Sequence, residues 1–397
     1  MHGLTQSYEQ GFSFKVDHLQ RTSRPVSQLV CSSKLRAVTG FCLFYFGSVL
    51  LVWECVQGDE IVLRNLEKLT EINVASMDED GIRLSDGRLF SLDSILSANV
   101  AEQEGFDRLH TRFSEPLFRV KVRLRKQDFE NIGEQLLVLQ PVYASRSGRS
   151  AALVNFAQLR FSVENGDPIL AIYSYFQMQR LADSDPMLLE FFQSIGDSVG
   201  SLEGYSKHIR PFELNRKSII ENWDSIVTAY LGLPVEHPSG LDFYFFAIAD
   251  ARGLELRPDI AANRIKLNSR EKSVLDHLKL AYDTAASSDQ WQQALIRMTD
   301  DVGSSNESVA LKALNLFAIG KIKLKNGPST EDDGLLTLLG IHAEYGPDAP
   351  MVAAAALFEV FMALKDRDPG RDAKNIKKEL LSRYPSSDFA KRLRMMK

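Results

Sequence analysis

The chain has 397 residues, 44% of them hydrophobic and 25% charged, which is the composition of a folded soluble protein with room for about two or three domains. Its formal net charge of -5 gives no strong attraction to nucleic acid, so no nucleic-acid partner is expected. All three cysteines (Cys31, Cys42 and Cys55) lie near the N-terminus. The chain beyond Cys55 therefore has no disulfide framework, thiolate metal site or cysteine nucleophile.

An apolar run from Ala37 to Trp53 follows a polar tail, residues 1–36. The run is short for a bilayer-spanning helix and long for a signal-peptide core, so residues 37–58 are predicted to be a signal peptide or a membrane anchor. The long tail favours an uncleaved anchor; cleavage near Gly58 and a buried core helix are the alternatives. Basic residues before the run predict that the rest of the chain is extracytoplasmic, in the periplasm or cell envelope.

Residues 59–103 are predicted to form a small β-rich segment. The pattern indicates strands at Ile72–Ala75, Ile82–Leu84 and Arg88–Phe90. Two turns separate these strands, and each contains an Asp-Gly pair in which glycine supplies a positive φ. Ser91 or Asp93 is expected to cap a short helix that continues through Leu96. The acidic turn does not fit a calcium loop, because a glycine stands where a bidentate glutamate is needed.

Residues 104–183, and within them Pro116–Ala182, are predicted to form two consecutive helical hairpins. Asp128 and Asp167 are expected N-caps, and Pro168 suits the first helical position. Apolar residues follow each cap at helical spacing. Phe118 to Arg125 alternates strictly between apolar and basic residues, which also fits a half-buried strand. We favour a helix there because it makes the two hairpins consistent with each other.

Residues 184–268 form a less regular helical linker region, with buried helices predicted around Trp223 and at 243–249. Residues 269–397 show strong helical periodicity broken by caps and glycines, which predicts short antiparallel helices. The predicted fold is therefore mainly α, made of antiparallel helical hairpins and preceded by the β-hairpin-rich segment and the N-terminal apolar segment.

The segment Arg383–Ala390, Arg-Tyr-Pro-Ser-Ser-Asp-Phe-Ala, resembles the Tyr-Pro-x-Ser-x-x-Ala junction of envelope-associated tetratricopeptide-type repeat proteins of bacteria. With Pro385 at the consensus proline, Ala373 falls on the small-residue position of the second helix. Leu357 and Val360 then fall on apolar positions of the first helix. The resemblance implies a tetratricopeptide-like α-solenoid.

The match to that repeat is partial. Phe361 and Leu380 stand where the consensus has glycine and alanine. The pairs Asp128–Asp167 and Tyr345–Tyr384 are each spaced by 39 residues, longer than the repeat length of about 34. Pro116–Ala182 also resembles an uncharacterised bacterial family of exported helical-repeat proteins, for which no activity is implied.

Catalytic and metal-binding patterns are few. Ser198 lies in Gly-Asp-Ser-Val-Gly, which fits a nucleophile elbow, but no alternation of strands and helices surrounds it. A glycine-rich loop between helices is the favoured interpretation, with a serine hydrolase as the alternative. No two histidines have the spacing of metal ligands on one helix face, and no phosphate or dinucleotide motif is present. No catalytic residue, metal or cofactor is predicted.

One basic cluster stands out in the first hairpin. Arg119, Arg123 and Lys126 share a face of the predicted helix, which we call the basic face. It could bind an anionic polysaccharide, lipid or acidic partner, although such a run is more often a solvated surface.

These features together predict a non-enzymatic, extracytoplasmic helical-repeat scaffold that binds protein or peptide segments of the envelope. The alternatives are an envelope serine hydrolase using Ser198, and a binding component for anionic polysaccharide or lipid that uses the basic face.

Overall fold

The computed structural model describes residues 58–185, 188, 190–191, 204–207, 209, 216–252, 267–283, 286–301, 308–367 and 370–396. All of them belong to one compact unit, Val56–Lys397. The predicted polar tail and the apolar run from Ala37 to Trp53 lie outside the described residues, as does Ser198.

The first part of this unit is a pair of small antiparallel sheets. One has the strand order β2-β1-β6 and the other the order β3-β4-β5. A single 3-10 turn, Leu92–Ser94, leads into β6. The strands are β1 (Asp59–Leu63), β2 (Lys68–Ile72), β3 (Val74–Asp78), β4 (Gly81–Leu84), β5 (Leu89–Phe90) and β6 (Ile95–Asn99).

The prediction of one strand over Ile72–Ala75 is wrong, because the chain changes sheets at Asn73. The Asp59 carboxylate accepts the backbone N–H of Val74 at 2.9 Å and that of Ala101, also at 2.9 Å. It thereby holds the start of β3 and the end of β6 beside β1. This long-range clamp has no local signature in the sequence.

The predicted helix through Leu96 is only one turn long. The turn ends at Ser94, and Ile95, which is fully buried, begins β6 and pairs with Leu63 of β1. Burial of Ile95 in the sheet therefore overrides continuation of the helix.

The segment 103–184 forms the predicted helices. Leu117, Val120 and Leu124 are buried on one face of the helix Glu115–Arg125, which confirms the helical interpretation of Phe118 to Arg125. The elements are α1 (Gln103–Leu109), a π-helical turn (His110–Ser114), α2 (Glu115–Arg125), a 3-10 turn (Glu130–Ile132), α3 (Gly133–Tyr143), α4 (Arg149–Glu164) and α5 (Pro168–Ser184).

The two hairpins share one type of turn. Asp128 N–H donates to the carbonyl of Arg123 at 2.9 Å, and Asp167 N–H donates to the carbonyl of Ser162 at 2.8 Å. Both bonds belong to Schellman motifs, whose left-handed residue is Gln127 (φ 56°) in one and Gly166 (φ 68°) in the other. The two aspartates are therefore structurally equivalent.

Their capping roles nevertheless differ. Asp167 caps α5, because its carboxylate accepts the N–H groups of Ile169 and Leu170 at 3.1 Å each, with Pro168 at the first helical position. The N-cap prediction for Asp128 is wrong. Its carboxylate accepts from the side chain of Asn131 at 2.7 Å, and a 3-10 turn separates it from α3.

The remainder of the described chain is helical, so the structure confirms a mainly helical fold preceded by a small antiparallel β segment. The helices are α6 (Arg216–Leu231), α7 (Ser239–Arg252), α8 (Ser269–Tyr282), α9 (Ser288–Asp301), α10 (Val309–Lys325), α11 (Pro328–Tyr345), α12 (Pro350–Arg367), α13 (Arg371–Arg383) and α14 (Asp388–Met395).

One hydrophobic core runs from the sheets through both hairpins to the C-terminal helices. The last helix returns to the first hairpins, where the Lys391 ammonium lies 3.0 Å from the Glu164 carboxylate and 3.2 Å from that of Glu130. Phe389 of α14 packs on Phe358 of α12 with ring centroids 5.5 Å apart. The early and late helices of this unit are thus joined directly.

Candidate functional site

The basic face lies on α2, but its residues are not equally available. Arg119 forms an ion pair with Glu115 at 2.9 Å. Arg123 donates to Gln135 at 2.8 Å. Lys126 is exposed and has no ion-pair partner in the described part of the chain. Two of the three predicted residues are therefore already engaged by neighbouring side chains.

Lys121, in the same basic run, is a structural residue. Its ammonium lies 2.5 Å from the carboxylate of Asp93, whose side chain is 4% exposed. Ser114 donates to the carbonyl of Leu92 at 2.8 Å nearby. These contacts attach α2 to the 3-10 turn before β6. Local sequence patterns do not predict this role of Lys121, because Asp93 is distant in sequence and its own pattern is that of a helix cap.

Two of the histidine clusters in the described part of the chain are considered for catalysis, and the first is closed to substrate. His237 Nε2 lies 2.7 Å from Asp242, and its Nδ1 lies 2.7 Å from the carbonyl of Pro234. Tyr230 donates to the same Asp242 oxygen at 2.5 Å. The side chains of His237 and Asp242 are 3% and 1% exposed. Both ring nitrogens are occupied, so this cluster has the geometry of a buried structural network.

The second cluster is half-buried. His342 Nδ1 lies 2.8 Å from the Tyr384 hydroxyl, and its Nε2 lies 3.3 Å from the Glu379 carboxylate. Burial, with the nearby Glu379 charge, raises the pKa of the Tyr384 phenol. The phenol is thus held protonated, whereas an activated nucleophile would need a lowered pKa.

A groove between the β segment and α1 offers the most suitable binding geometry. It encloses about 360 Å³ and is open to solvent. Met77 and Leu109 give it apolar surface together with the buried Phe113. Its lining consists of Met77, Asp78, Glu79, Glu102, Gly105, Arg108, Leu109, Arg112 and Phe113. The volume lies within the range of small-ligand and short-peptide sites.

One wall of this groove is the end of β3. Among the described residues, β3 is an edge strand that pairs only with β4. Asp78 Oδ1 accepts the N–H groups of Asp80 at 2.9 Å and Gly81 at 3.2 Å, which fixes the turn after the strand. Glu79 is neutralised by Arg146 at 2.9 Å. This wall is therefore rigid, and its acidic groups are engaged.

The opposite wall is α1 and the π-helical turn. Gly105 has no side chain, and the Glu102 carboxylate lies 2.9 Å from where a Cβ at position 105 would stand. Arg108 and Arg112 follow toward the other end of the groove. A π-helical turn is rare and is frequently found at functional sites. The sequence gives little indication of this groove, because its walls are separate segments with ordinary local patterns.

Within the described ranges, no group of three or more acidic, histidine or cysteine side chains is arranged to hold a metal ion. The same part of the chain contains no helix that is both long enough and apolar enough to cross a bilayer.

No model of a known protein family matches the chain, and no curated protein or solved structure is significantly similar to it.

Proposed function

We propose that this protein is a non-enzymatic, extracytoplasmic scaffold that binds extended peptide or protein segments. The groove beside edge strand β3 carries the proposal. An edge strand has unpaired backbone N–H and C=O groups that can bond a further strand, while adjacent apolar surface receives its side chains. Met77 and Leu109 supply apolar surface in the groove.

The rigidity of the groove supports the same function. Tyr143 donates to the carbonyl of Glu79, and Arg146 pairs with the carboxylate of Glu79. Both residues lie at or just after the end of α3, so the first helical hairpin holds the β3 wall in place. A wall held in this way loses little entropy on binding, which favours affinity.

Tetratricopeptide-like stacking remains part of the proposal for the C-terminal helices. Helices α10 to α13 each pack on the next one along the chain. Ala373, at the small-residue position of the resemblance, is buried, as are Leu357 and Val360. Surfaces formed by such helices commonly bind protein segments.

The extracytoplasmic location rests on the apolar run from Ala37 to Trp53 and the basic residues before it. A full-chain fusion with alkaline phosphatase after Lys397 tests it, because that enzyme requires export for activity. We expect an active fusion and an inactive fusion when the apolar run is deleted. An inactive full-chain fusion would contradict the proposed location.

Binding is tested by exposing the detergent-solubilised full chain to an immobilised library of short random peptides. We expect a subset of peptides to retain the protein. Gly105→Phe is designed to fill the groove and should abolish retention; the nearest atoms that a Cβ at position 105 would meet belong to the flexible side chain of Glu102. Glu104→Phe is the matched control, because it adds the same aromatic ring on the same helix outside the groove lining.

Retention lost in Gly105→Phe and kept in Glu104→Phe would support the groove as the binding site. Retention of no peptide, or equal retention by both variants, would reject the proposal. Circular dichroism of both variants would show that the fold is unchanged.

A further inference from the structure

Arg108 and Arg112 line the same groove and are both exposed. Neither forms an ion pair with any residue that the structure describes. Arg108 Nε donates to the backbone carbonyl of Glu104, one helical turn earlier, at 3.3 Å. Arg112 lies over the ring of Phe113 with its guanidinium 5.0 Å from the centroid.

Two guanidinium groups without carboxylate partners are suited to an anion from outside the chain. Guanidinium binds carboxylate through two parallel N–H···O bonds, and such charge-assisted bonds are stronger than neutral ones. Leu109 and Phe113 lie directly beside these arginines in the sequence and in the groove lining. A ligand that matches both the two arginines and the adjacent apolar lining has a carboxylate next to an apolar side chain.

The charge along the helical wall also gives the ligand a direction. Glu102 lies at one end of this wall, and Arg108 and Arg112 lie toward the other, with uncharged Gly105 between them. The distance from residue 102 to residue 112 is roughly 15 Å at the helical rise, the length of about four or five extended residues. A peptide along β3 would therefore place its carboxyl end at the arginines.

We propose that the groove recognises the free carboxyl terminus of a peptide whose last residue is apolar. Arg108 and Arg112 bind the terminal carboxylate, the side chain of the last residue packs on Leu109, and the preceding residues extend along β3. This inference rests on the proposed peptide-binding function and names the class of partner.

The test uses two peptide libraries of the same sequences, one with free carboxyl termini and the other with carboxamide termini. The solubilised full chain is measured against both. We expect it to bind free-acid peptides with an apolar last residue, and to bind their amidated forms about tenfold or more weakly, since a charge-assisted contact is lost.

A variant pair assigns the effect to the groove. Arg108→Gln with Arg112→Gln should weaken free-acid binding by about tenfold or more while leaving the weak binding of amides unchanged. Arg125→Gln with Lys126→Gln is the control, because it removes the same charge from exposed residues of the neighbouring helix end. Loss of binding in the first pair alone supports the proposal.

Equal binding of free-acid and amidated peptides would overturn this inference and leave the peptide-binding function intact. Strong retention of amidated peptides that carry an internal aspartate or glutamate would also overturn this inference, because the arginines would then bind side-chain carboxylates. Binding unaffected by Arg108→Gln with Arg112→Gln would also overturn it. Failure of both libraries would instead reject the peptide-binding function itself.

Discussion

The Lys391 ammonium lies 3.0 Å from the Glu164 carboxylate, whose side chain is 4% exposed. Glu164 is the last residue of α4, and Lys391 belongs to the final helix. Burial raises the pKa of Glu164, while the adjacent Lys391 opposes that rise. This pair therefore attaches the C-terminal helix to the hairpins that follow the groove.

Lys391→Met should lower the free energy of unfolding by about 2 to 3 kcal/mol at pH 7, because it leaves a buried carboxylate without its cation. Urea unfolding would measure the loss. Lys378→Met is the control, since Lys378 is exposed on α13, and it should change stability by less than about 0.5 kcal/mol.

The cost of Lys391→Met should also depend on pH. A carboxyl group with a raised folded pKa destabilises the fold when ionised, and that penalty disappears as pH falls through the folded pKa. Without Lys391 the pKa of Glu164 rises further. The stability difference between variant and parent should therefore shrink in acid, and adding Glu164→Gln should remove this dependence. A difference that is constant with pH would contradict the pairing.

Lys121 and Lys126 should behave very differently although both belong to one basic run. Lys121→Met leaves the buried Asp93 carboxylate unpaired and should cost about 2 to 3 kcal/mol. Lys126→Met alters an exposed residue and should cost less than about 0.5 kcal/mol. Thermal unfolding of the two variants in the same buffer measures this difference. Equal midpoints would contradict the stabilising role of the Lys121–Asp93 pair.

Gly81 and Gly87 form a second matched comparison. Both have a positive φ, but a Cβ at Gly81 would lie 2.1 Å from the Phe90 carbonyl oxygen, whereas one at Gly87 would meet no atom within 4 Å. Gly81→Ala should cost about 3 kcal/mol or more from the backbone clash, and Gly87→Ala about 1 kcal/mol from conformational strain alone. Similar unfolding free energies for the two variants would contradict the close approach of Gly81 to the Phe90 carbonyl.

Alkaline pH should unfold the protein. Burial raises the pKa of Tyr143, Tyr175 and Tyr244, so these phenols stay protonated in the fold while the unfolded chain ionises near pH 10. Their stabilising effect is complete below about pH 10 and is lost as pH rises above it. Urea unfolding across this range should show the decline. Tyr143→Phe should make it shallower, and an unchanged slope would be inconsistent with a buried Tyr143 phenol.

The salt concentration that elutes two double variants from a heparin column tests the basic face. Arg119 and Arg123 are engaged by Glu115 and Gln135, so Arg119→Gln with Arg123→Gln should alter the eluting salt concentration little. Arg125→Gln with Lys126→Gln removes the same charge from residues without ion-pair partners among those described, and should lower it more. The reverse order would show that Arg119 and Arg123 bind the anion despite their contacts with Glu115 and Gln135.

Local patterns predicted the helices of residues 116–182 well. Asp167 followed by Pro168 defines a helix start by itself, because the cap and the fixed φ act within one turn. The same reasoning failed at Asp128. There the Schellman turn is followed by a 3-10 turn, and no proline fixes the first residue of the next helix.

The groove could not be predicted, because its two walls come from segments that are distant in sequence. Met77 lies at the end of an edge strand and Arg108 on a helix of unremarkable pattern. Whether an arginine has an ion-pair partner depends on the final positions of its guanidinium group and of the nearby carboxylates. Local spacing in the sequence does not determine these positions.

The amino-acid sequence was sufficient to predict the mainly helical composition of this chain, the small β segment before the helices and the helix start at Asp167. These depend on periodicity and backbone preference within a few residues. Three long-range contacts became known from the three-dimensional structure: Asp59 bonds the start of β3 and the end of β6, Lys121 lies against the buried Asp93, and Lys391 returns to Glu164. Each of these depends on burial, which lowers the local dielectric and makes one long-range partner far more favourable than water.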